Sequence, residues 1–385
     1  MIDKIKRLKP ISRTSHLLSF LIPKKQGRWV FGAWHGERFA GNSKYLYLYA
    51  NQYHNDLDLI WISSNTELVE ALQEKGYKAH HEKSLKGKYY CATAEKTIVT
   101  NDTRDVNKWM TGRSDLIQLW HGLPLKKILF DNDFSIEGNK IKKMLRKLTF
   151  KLYTDYDKIL STSENLNEIF QRSFKADSSR MLNAGYPRND IFSNQIEGEE
   201  IFSQKEKIQE LKQKGNKIIL YAATWREYES EHELNYTRLD KQLENTKYIL
   251  LVDSHTFAER NVEEDLNNVV KLEGSKDIQP ILKQTDLLIT DYSSIYIDFL
   301  HRDKPIIFYC YDLEKYQQKR GLNFEYEEVT PGPKAYNQKE LERNIKQAIN
   351  KDKYANQRKE VKKIFFDQKC GEASKMITEC LYNGK

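Results

Sequence analysis

The sequence predicts an α/β protein built from two doubly wound, Rossmann-type domains, and three observations carry that expectation. Short apolar, β-rich runs alternate with helical stretches over most of the chain, a pattern that implies parallel sheets with helical crossovers. The 385 residues are enough for two domains of roughly 150 to 200 residues each. Near mid-chain a polar, charged stretch from Asn194 to Gly215 interrupts the alternation, which then restarts with Lys-Ile-Ile-Leu-Tyr-Ala-Ala.

The strands expected before that break are Trp29–Trp34, Leu57–Ser63, Thr97–Asn101, Leu116–Trp120, Lys158–Thr162 and Met181–Ala184. Each is a brief run rich in β-branched, aromatic or leucine residues, too short for a buried helix. After the break come Lys217–Ala222, Tyr248–Val252, Leu287–Thr290 and Pro305–Tyr309, of the same character. The chain therefore divides into a basic amphipathic segment at 1–26, a first Rossmann-like domain at 27–195 and a second at 196–385 that closes with helices. Two such domains facing a cleft make the GT-B-like architecture known from nucleotide-sugar transferases.

Composition excludes several classes. Only four cysteines occur, with no C-x-x-C pair, so neither a zinc site nor a disulfide framework is expected, and a reducing cytoplasm is the default. No apolar run approaches the roughly 18 to 20 residues of a spanning helix. The run Leu17 to Ile22, closed by Pro23, has no small-residue cleavage site behind it, and so is not read as a signal peptide. The paired carboxylates Asp56/Asp58 and Asp131/Asp133 read as solvated, so no metal is expected.

The net charge of +8 is concentrated in two patches. Residues 1–28 carry eight Lys/Arg against Asp3 alone, and residues 140–151 carry six with no acid, which leaves the rest mildly acidic. In the second patch Ile141, Met144, Leu145, Leu148 and Leu152 share one helical face, with Lys142, Lys143, Arg146 and Lys147 around it. Such a helix suits an anionic membrane surface, or else packs on the core with a solvated basic back; the apolar and basic N-terminus favours the membrane. No helix-turn-helix, zinc-finger or RNA-recognition pattern is present, so no nucleic acid is expected.

Three segments have the makings of a site. In Gln-Leu-Trp-His-Gly-Leu-Pro-Leu-Lys-Lys (118–127), His121 follows a strand, where parallel sheets bind ligands, and an imidazole there can take a proton from a hydroxyl. A lone histidine is more often structural, but Gly122, Pro124 and Lys126/Lys127 shape a cationic loop around it. In Leu-Leu-Ile-Thr-Asp-Tyr-Ser-Ser (287–294) a strand breaks into Asp291, Ser293 and Ser294 ahead of a helix, which makes either a phosphate cradle or a plain cap. Thr224 and Arg226 in Tyr-Ala-Ala-Thr-Trp-Arg-Glu, and His255 in Asp-Ser-His-Thr-Phe, end strands of the same domain and bring a cation and a donor to that edge. Neither a Walker A sequence nor G-x-G-x-x-G occurs, which removes the main support for NTPase or dehydrogenase readings.

Taken together, these segments resemble the CDP-glycerol glycerophosphotransferase family, the teichoic acid primases and polymerases. The resemblance runs through Val-Phe-Gly-Ala-Trp-His-Gly-Glu-Arg-Phe-Ala-Gly-Asn-Ser-Lys (30–44), the His121 segment, Gly-Tyr-Pro-Arg-Asn-Asp (185–190), the Thr224 and Ser293 segments, Phe-Tyr-Cys-Tyr-Asp-Leu-Glu-Lys-Tyr (308–316), Arg320-Gly321 and Pro331-Gly332-Pro333. Departures are Leu123, Ala223, Glu227 and Asp253-Ser254, where the family commonly has Thr, Pro, Asp and Arg-Met. Asp253 in place of a basic residue bears on the choice of donor.

The resemblance implies a CDP-alditol donor, most simply CDP-glycerol, no further cofactor, and an undecaprenyl-diphosphate-linked acceptor at the cytoplasmic face of the membrane. It implies an acceptor-side first domain and a donor-binding second one, with His121 as base, His255 at the donor phosphate, and Thr224, Arg226, Asp291, Ser293 and Ser294 around the donor. The absence of a large N-terminal extension favours a primase, a short-chain transferase or a capsule enzyme. A GT-B glycosyltransferase using a nucleotide sugar, a CDP-ribitol-dependent enzyme, and a non-catalytic membrane- or nucleic-acid-binding protein are the rival expectations.

Overall fold

The structure is a computed structural model and describes residues 16–131, 155–224, 234–253, 266–272 and 277–383. Among these, every paired strand lies in one of two all-parallel sheets, each belonging to its own compact unit.

Unit 1 comprises residues 1–121, 137–198 and 368–385. Its sheet has the order β3-β2-β1-β4-β5-β6-β7. These strands are β1 (Lys25–Phe31), β2 (Asp58–Ser63), β3 (Ala79–His81), β4 (Ala94–Val99), β5 (Asp115–Gln118), β6 (Lys158–Ser161) and β7 (Met181–Asn183). The central strands present Trp29, Val30, Phe31, Ile60, Trp61, Ile62 and Ile98 to the core on both faces, which is why they read as continuous apolar runs. Arg28 is paired with Asp58 in the β1–β2 register, and its Nε donates to Asp58 Oδ2 at 2.8 Å, fixing the alignment by charge as well as by backbone bonds. The crossover helices start where side chains cap them: Asn65 accepts from Leu68 N and Ser84 from Gly87 N.

Unit 2 comprises residues 122–136 and 199–367. Its sheet has the order β10-β9-β8-β11-β12-β13, built from β8 (Lys217–Tyr221), β9 (Tyr248–Asp253), β10 (Val269–Leu272), β11 (Leu287–Thr290), β12 (Ile306–Tyr309) and β13 (Lys334–Ala335). Ile219, Leu250, Val252, Leu287, Ile289 and Ile307 form its buried core with Leu239, Leu341 and Ile345 from the covering helices.

In both sheets the order reverses direction once, between β1 and β4 in unit 1 and between β8 and β11 in unit 2. Loops leaving the carboxyl ends of the strands beside such a reversal frame the crevice where open α/β sheets bind ligands. Three strands lie outside the runs expected from sequence: β3, β10 and β13, all at sheet edges. The domain ranges also differ from the 27–195 and 196–385 read in sequence, because the helix Ala373–Asn383 belongs to unit 1 and residues 122–131 to unit 2.

Candidate active site

In unit 1 the chain leaves β5 through Leu119 and Trp120 to His121. Trp120 has φ 55°, a left-handed conformation that costs an aromatic residue about 1 to 3 kcal/mol and needs support. Gln118 supplies part of it, accepting from Trp120 N at 2.8 Å and donating to Asn101 O at 3.0 Å. The buried Asn42 amide donates to both Leu119 O and Trp120 O at 2.9 Å, and Arg188 Nη1 donates to His121 O at 2.6 Å. The backbone that presents the imidazole is therefore held by residues far apart in sequence.

The half-buried His121 ring has Nδ1 2.9 Å from Thr100 O. A carbonyl only accepts, so Nδ1 carries the proton and Nε2 presents its lone pair. Burial lowers the pKa to about 4; the Thr100 bond opposes this, while the charges of Arg188 and His35 add to it. The group is thus neutral at pH 7 and ready to accept a proton at Nε2. An anionic ligand beside it would raise its affinity for that proton.

Asp105 ties β1 to β4 at the reversal. Its buried carboxylate accepts from Thr100 N at 2.8 Å, Asn101 N at 2.7 Å and His35 N at 2.6 Å. Asp102 pairs with Arg104, whose Nη2 lies 2.5 Å from Oδ2, and this holds the Asp102 carboxyl below its usual range against the opposing effect of burial.

In unit 2 the corresponding crevice lies between the loops after β8 and β11. Asp291, fully buried, accepts from Thr224 N at 2.9 and 3.1 Å, from Thr224 Oγ1 at 2.8 Å and from Ser293 N at 3.1 Å. Its own carbonyl accepts from the Tyr326 hydroxyl at 3.1 Å. Asp291 is therefore the clasp that locks the Thr224 loop to the serine turn. Ser293 Oγ accepts a long 3.4 Å bond from Ile295 N, and Ser294 makes no side-chain cap to the helix Ile295–Phe299. Tyr292 stacks on Tyr316 at 4.0 Å, and Lys126 Nζ lies 5.2 Å from the Tyr316 ring centre.

The loop that follows His121 is fastened to this unit. Asn323 Nδ2 donates to Pro124 O and Lys126 O at 2.8 and 2.9 Å, and Lys126 forms an antiparallel bridge with Leu322. Gly122 approaches so closely that an added Cβ would lie 2.8 Å from Ser294 Oγ.

Of the residues singled out in sequence, His121, Thr224, Asp291, Ser293 and Ser294 are described, the last four brought together at one sheet edge. Asp253 closes β9 at that same edge. Arg226, His255, and the segment expected to be a helix with Lys142, Lys143, Arg146 and Lys147 lie outside the described residues. Sequence reasoning gave no individual role to Asn42, Thr100, Asp105, Gln118 or Arg188. Asn42 and Arg188 stood within segments that carried the resemblance, but nothing local to them pointed to the His121 backbone. No group of three or more potential metal ligands occurs among the described residues.

Residues 14–383 match the family described as CDP-glycerol:poly(glycerophosphate) glycerophosphotransferase. The chain is 31% identical to a teichoic acid poly(glycerol phosphate) polymerase of Bacillus spizizenii, over 93% of each protein. It is 30% identical to the polymerase of the same description in Bacillus subtilis, over 91% of this chain but 49% of that protein, so it spans about half that relative's length. Among solved structures the wall teichoic acid polymerase TagF superposes with a TM-score of 0.77 at 24% identity, covering 99% of this chain and 96% of that one. A TagF form soaked with CDPG gives 0.75 at 25% identity with the same coverage. The likeness to TagF agrees with the two parallel sheets and gives the chain a GT-B-like fold.

Proposed function

The chain belongs to the CDP-glycerol:poly(glycerophosphate) glycerophosphotransferase family, and from this we propose that it transfers glycerol phosphate from CDP-glycerol to a hydroxyl of a lipid-linked acceptor in teichoic acid or related surface-polymer synthesis. The acceptor oxygen attacks the glycerol-bearing phosphorus, the bond from that phosphorus to the bridging oxygen breaks, and CMP leaves with the electron pair. The hydroxyl proton passes to His121 Nε2. Catalysis of this kind is chiefly positioning and electrostatics. Ser293, Ser294 and Thr224 line the phosphate side, Asp291 holds Thr224 and Ser293 in place, and Arg226 and His255 meet the charge on the phosphoryl oxygens and the departing CMP.

The observation that carries this reading is the Nδ1 bond of His121 to Thr100 O, which leaves Nε2 unprotonated and facing away from its anchor. Within unit 2, Gly122 packs against Ser294 of the serine turn. CDPG in the TagF soak supports the donor.

The reading places the enzyme peripherally at the cytoplasmic face of the membrane, beside an undecaprenyl-diphosphate-linked acceptor. Support comes from Leu17, Leu18 and Leu21, which are 68%, 60% and 77% exposed directly after the basic residues 4–13. Among the described residues no helix is long and apolar enough to cross a membrane.

A donor screen with lipid-linked acceptor tests the proposal. CMP release from CDP-glycerol is the expected outcome; release from CDP-ribitol instead would reassign the alditol, and UDP release from a UDP-sugar would make the enzyme a glycosyltransferase.

A further inference from the structure

The turn after β1 carries chemistry that the reaction above does not use. Trp34, His35 and Gly36 have φ of 52°, 55° and 81°, three consecutive left-handed residues of which two are bulky aromatics. Such backbone persists only where its surroundings over-determine it, and it concentrates at functional sites. Here Asp105 accepts from His35 N, while Gly36 O accepts from Ser64 N at 2.9 Å and from the Ser63 hydroxyl.

The Asp105 and Ser63 anchors of this turn are buried, yet the His35 side chain is 45% exposed and Trp34 only half-buried. The Trp34 ring centre lies 5.9 Å from that of His121, and the Arg38 guanidinium sits 4.9 Å from the Trp34 ring centre. His35 Nε2 is 3.9 Å from Asp102 Oδ2, a loose contact, because that carboxylate is already engaged by Arg104. The result is a half-buried aromatic ring beside the base, flanked by a permanent cation and an imidazole with capacity to donate. An aromatic face takes the C–H surface of a polyol or sugar, and a guanidinium with an imidazole takes a phosphate.

We propose that Trp34, His35 and Arg38 form the acceptor subsite, binding the terminal phosphorylated polyol of the acceptor and laying its free hydroxyl against His121. The inference rests on the reading of His121 as the base.

The test uses the full chain, CDP-glycerol, and a soluble prenyl-diphosphate acceptor ending in one glycerol phosphate unit. His35→Gly removes the ring while suiting the left-handed backbone, and Arg38→Gln removes the charge. Each is expected to raise the acceptor KM by about tenfold, the size of one lost charge-assisted hydrogen bond, while CDP-glycerol affinity and thermal midpoint stay at wild-type values. His35→Asn, which tolerates the same backbone and keeps a donor, is expected to recover part of the loss. An acceptor KM within about twofold of wild type in both variants overturns the subsite. So does a parallel loss of donor affinity, or a fall in thermal midpoint with acceptor KM unchanged. Absence of CDP-glycerol turnover in the wild type would instead sink the donor assignment.

Discussion

Removal of the Asp291 carboxylate tests whether the donor crevice is built as described. Asp291→Ala strands three donors, Thr224 N–H, Thr224 O–H and Ser293 N–H, that now share one buried carboxylate. Thr224 and Ser293 are only half-buried, so water can reach part of what is exposed, and the low end of the penalty applies: about 1 kcal/mol for each donor, about 3 kcal/mol in all. Asp291→Asn keeps one accepting oxygen and loses the charge, and about half that cost is expected. Urea midpoints would read the stability change, and amide exchange over 217–224 and 287–294 would localise it. Since the serine turn loses its clasp, CDP-glycerol affinity should fall by about tenfold or more in Asp291→Ala. A stability change under about 0.5 kcal/mol with unaltered exchange and donor affinity would refute the clasp.

Three further outcomes are expected, two from this geometry and one from the basic pattern of the sequence. His121 has its pKa lowered to about 4, so the neutral base is present above that value and is lost only as pH falls through it; kcat/KM should stay level on the acid side well below the ordinary histidine range, and a limb near pH 6.5 would contradict the assigned environment. Gly122→Ala puts a methyl 2.8 Å from Ser294 Oγ, a flexible tip that can rotate away; the expected cost in stability is under about 1 kcal/mol, but donor affinity should weaken, and unchanged affinity would separate Ser294 from the phosphates. Replacing Lys142, Lys143, Arg146 and Lys147 with Glu should abolish sedimentation with anionic vesicles, since each basic residue near such a surface contributes about 1 kcal/mol; binding that survives would make that segment a core element with a solvated back.

Much of this fold is legible in the chain because central parallel strands are buried on both faces. Val30, Ile60, Leu250 and Ile307 sit in apolar runs that no loop would carry. The three strands without a sequence signal are edge strands. Ala79–His81 carries two histidines, Lys334–Ala335 is two residues long, and Val269–Leu272 is interrupted by Lys271, so none has the apolar run that marks a central strand. His121 could be placed because a strand leads directly into it. Its supports could not, since Asn42 and Arg188 reach its loop across 77 and 67 residues of chain and leave no periodic trace. Gln118, two residues from its target, and Asp105, in an Asx-rich turn, act locally and leave a signal in the loop chemistry. That residues 122–131 belong to unit 2 and 368–383 to unit 1 reflects packing between segments distant in sequence.

The proposed role of His121, taking the acceptor proton during glycerol phosphate transfer, is open to a direct kinetic test. Single-turnover transfer from CDP-glycerol to a lipid-linked acceptor, measured for wild type and His121→Ala, addresses it most directly. A fall of about 10² to 10⁴ in the rate is expected, with CDP-glycerol affinity unchanged. A natively folded variant that transfers at close to the wild-type rate would contradict it.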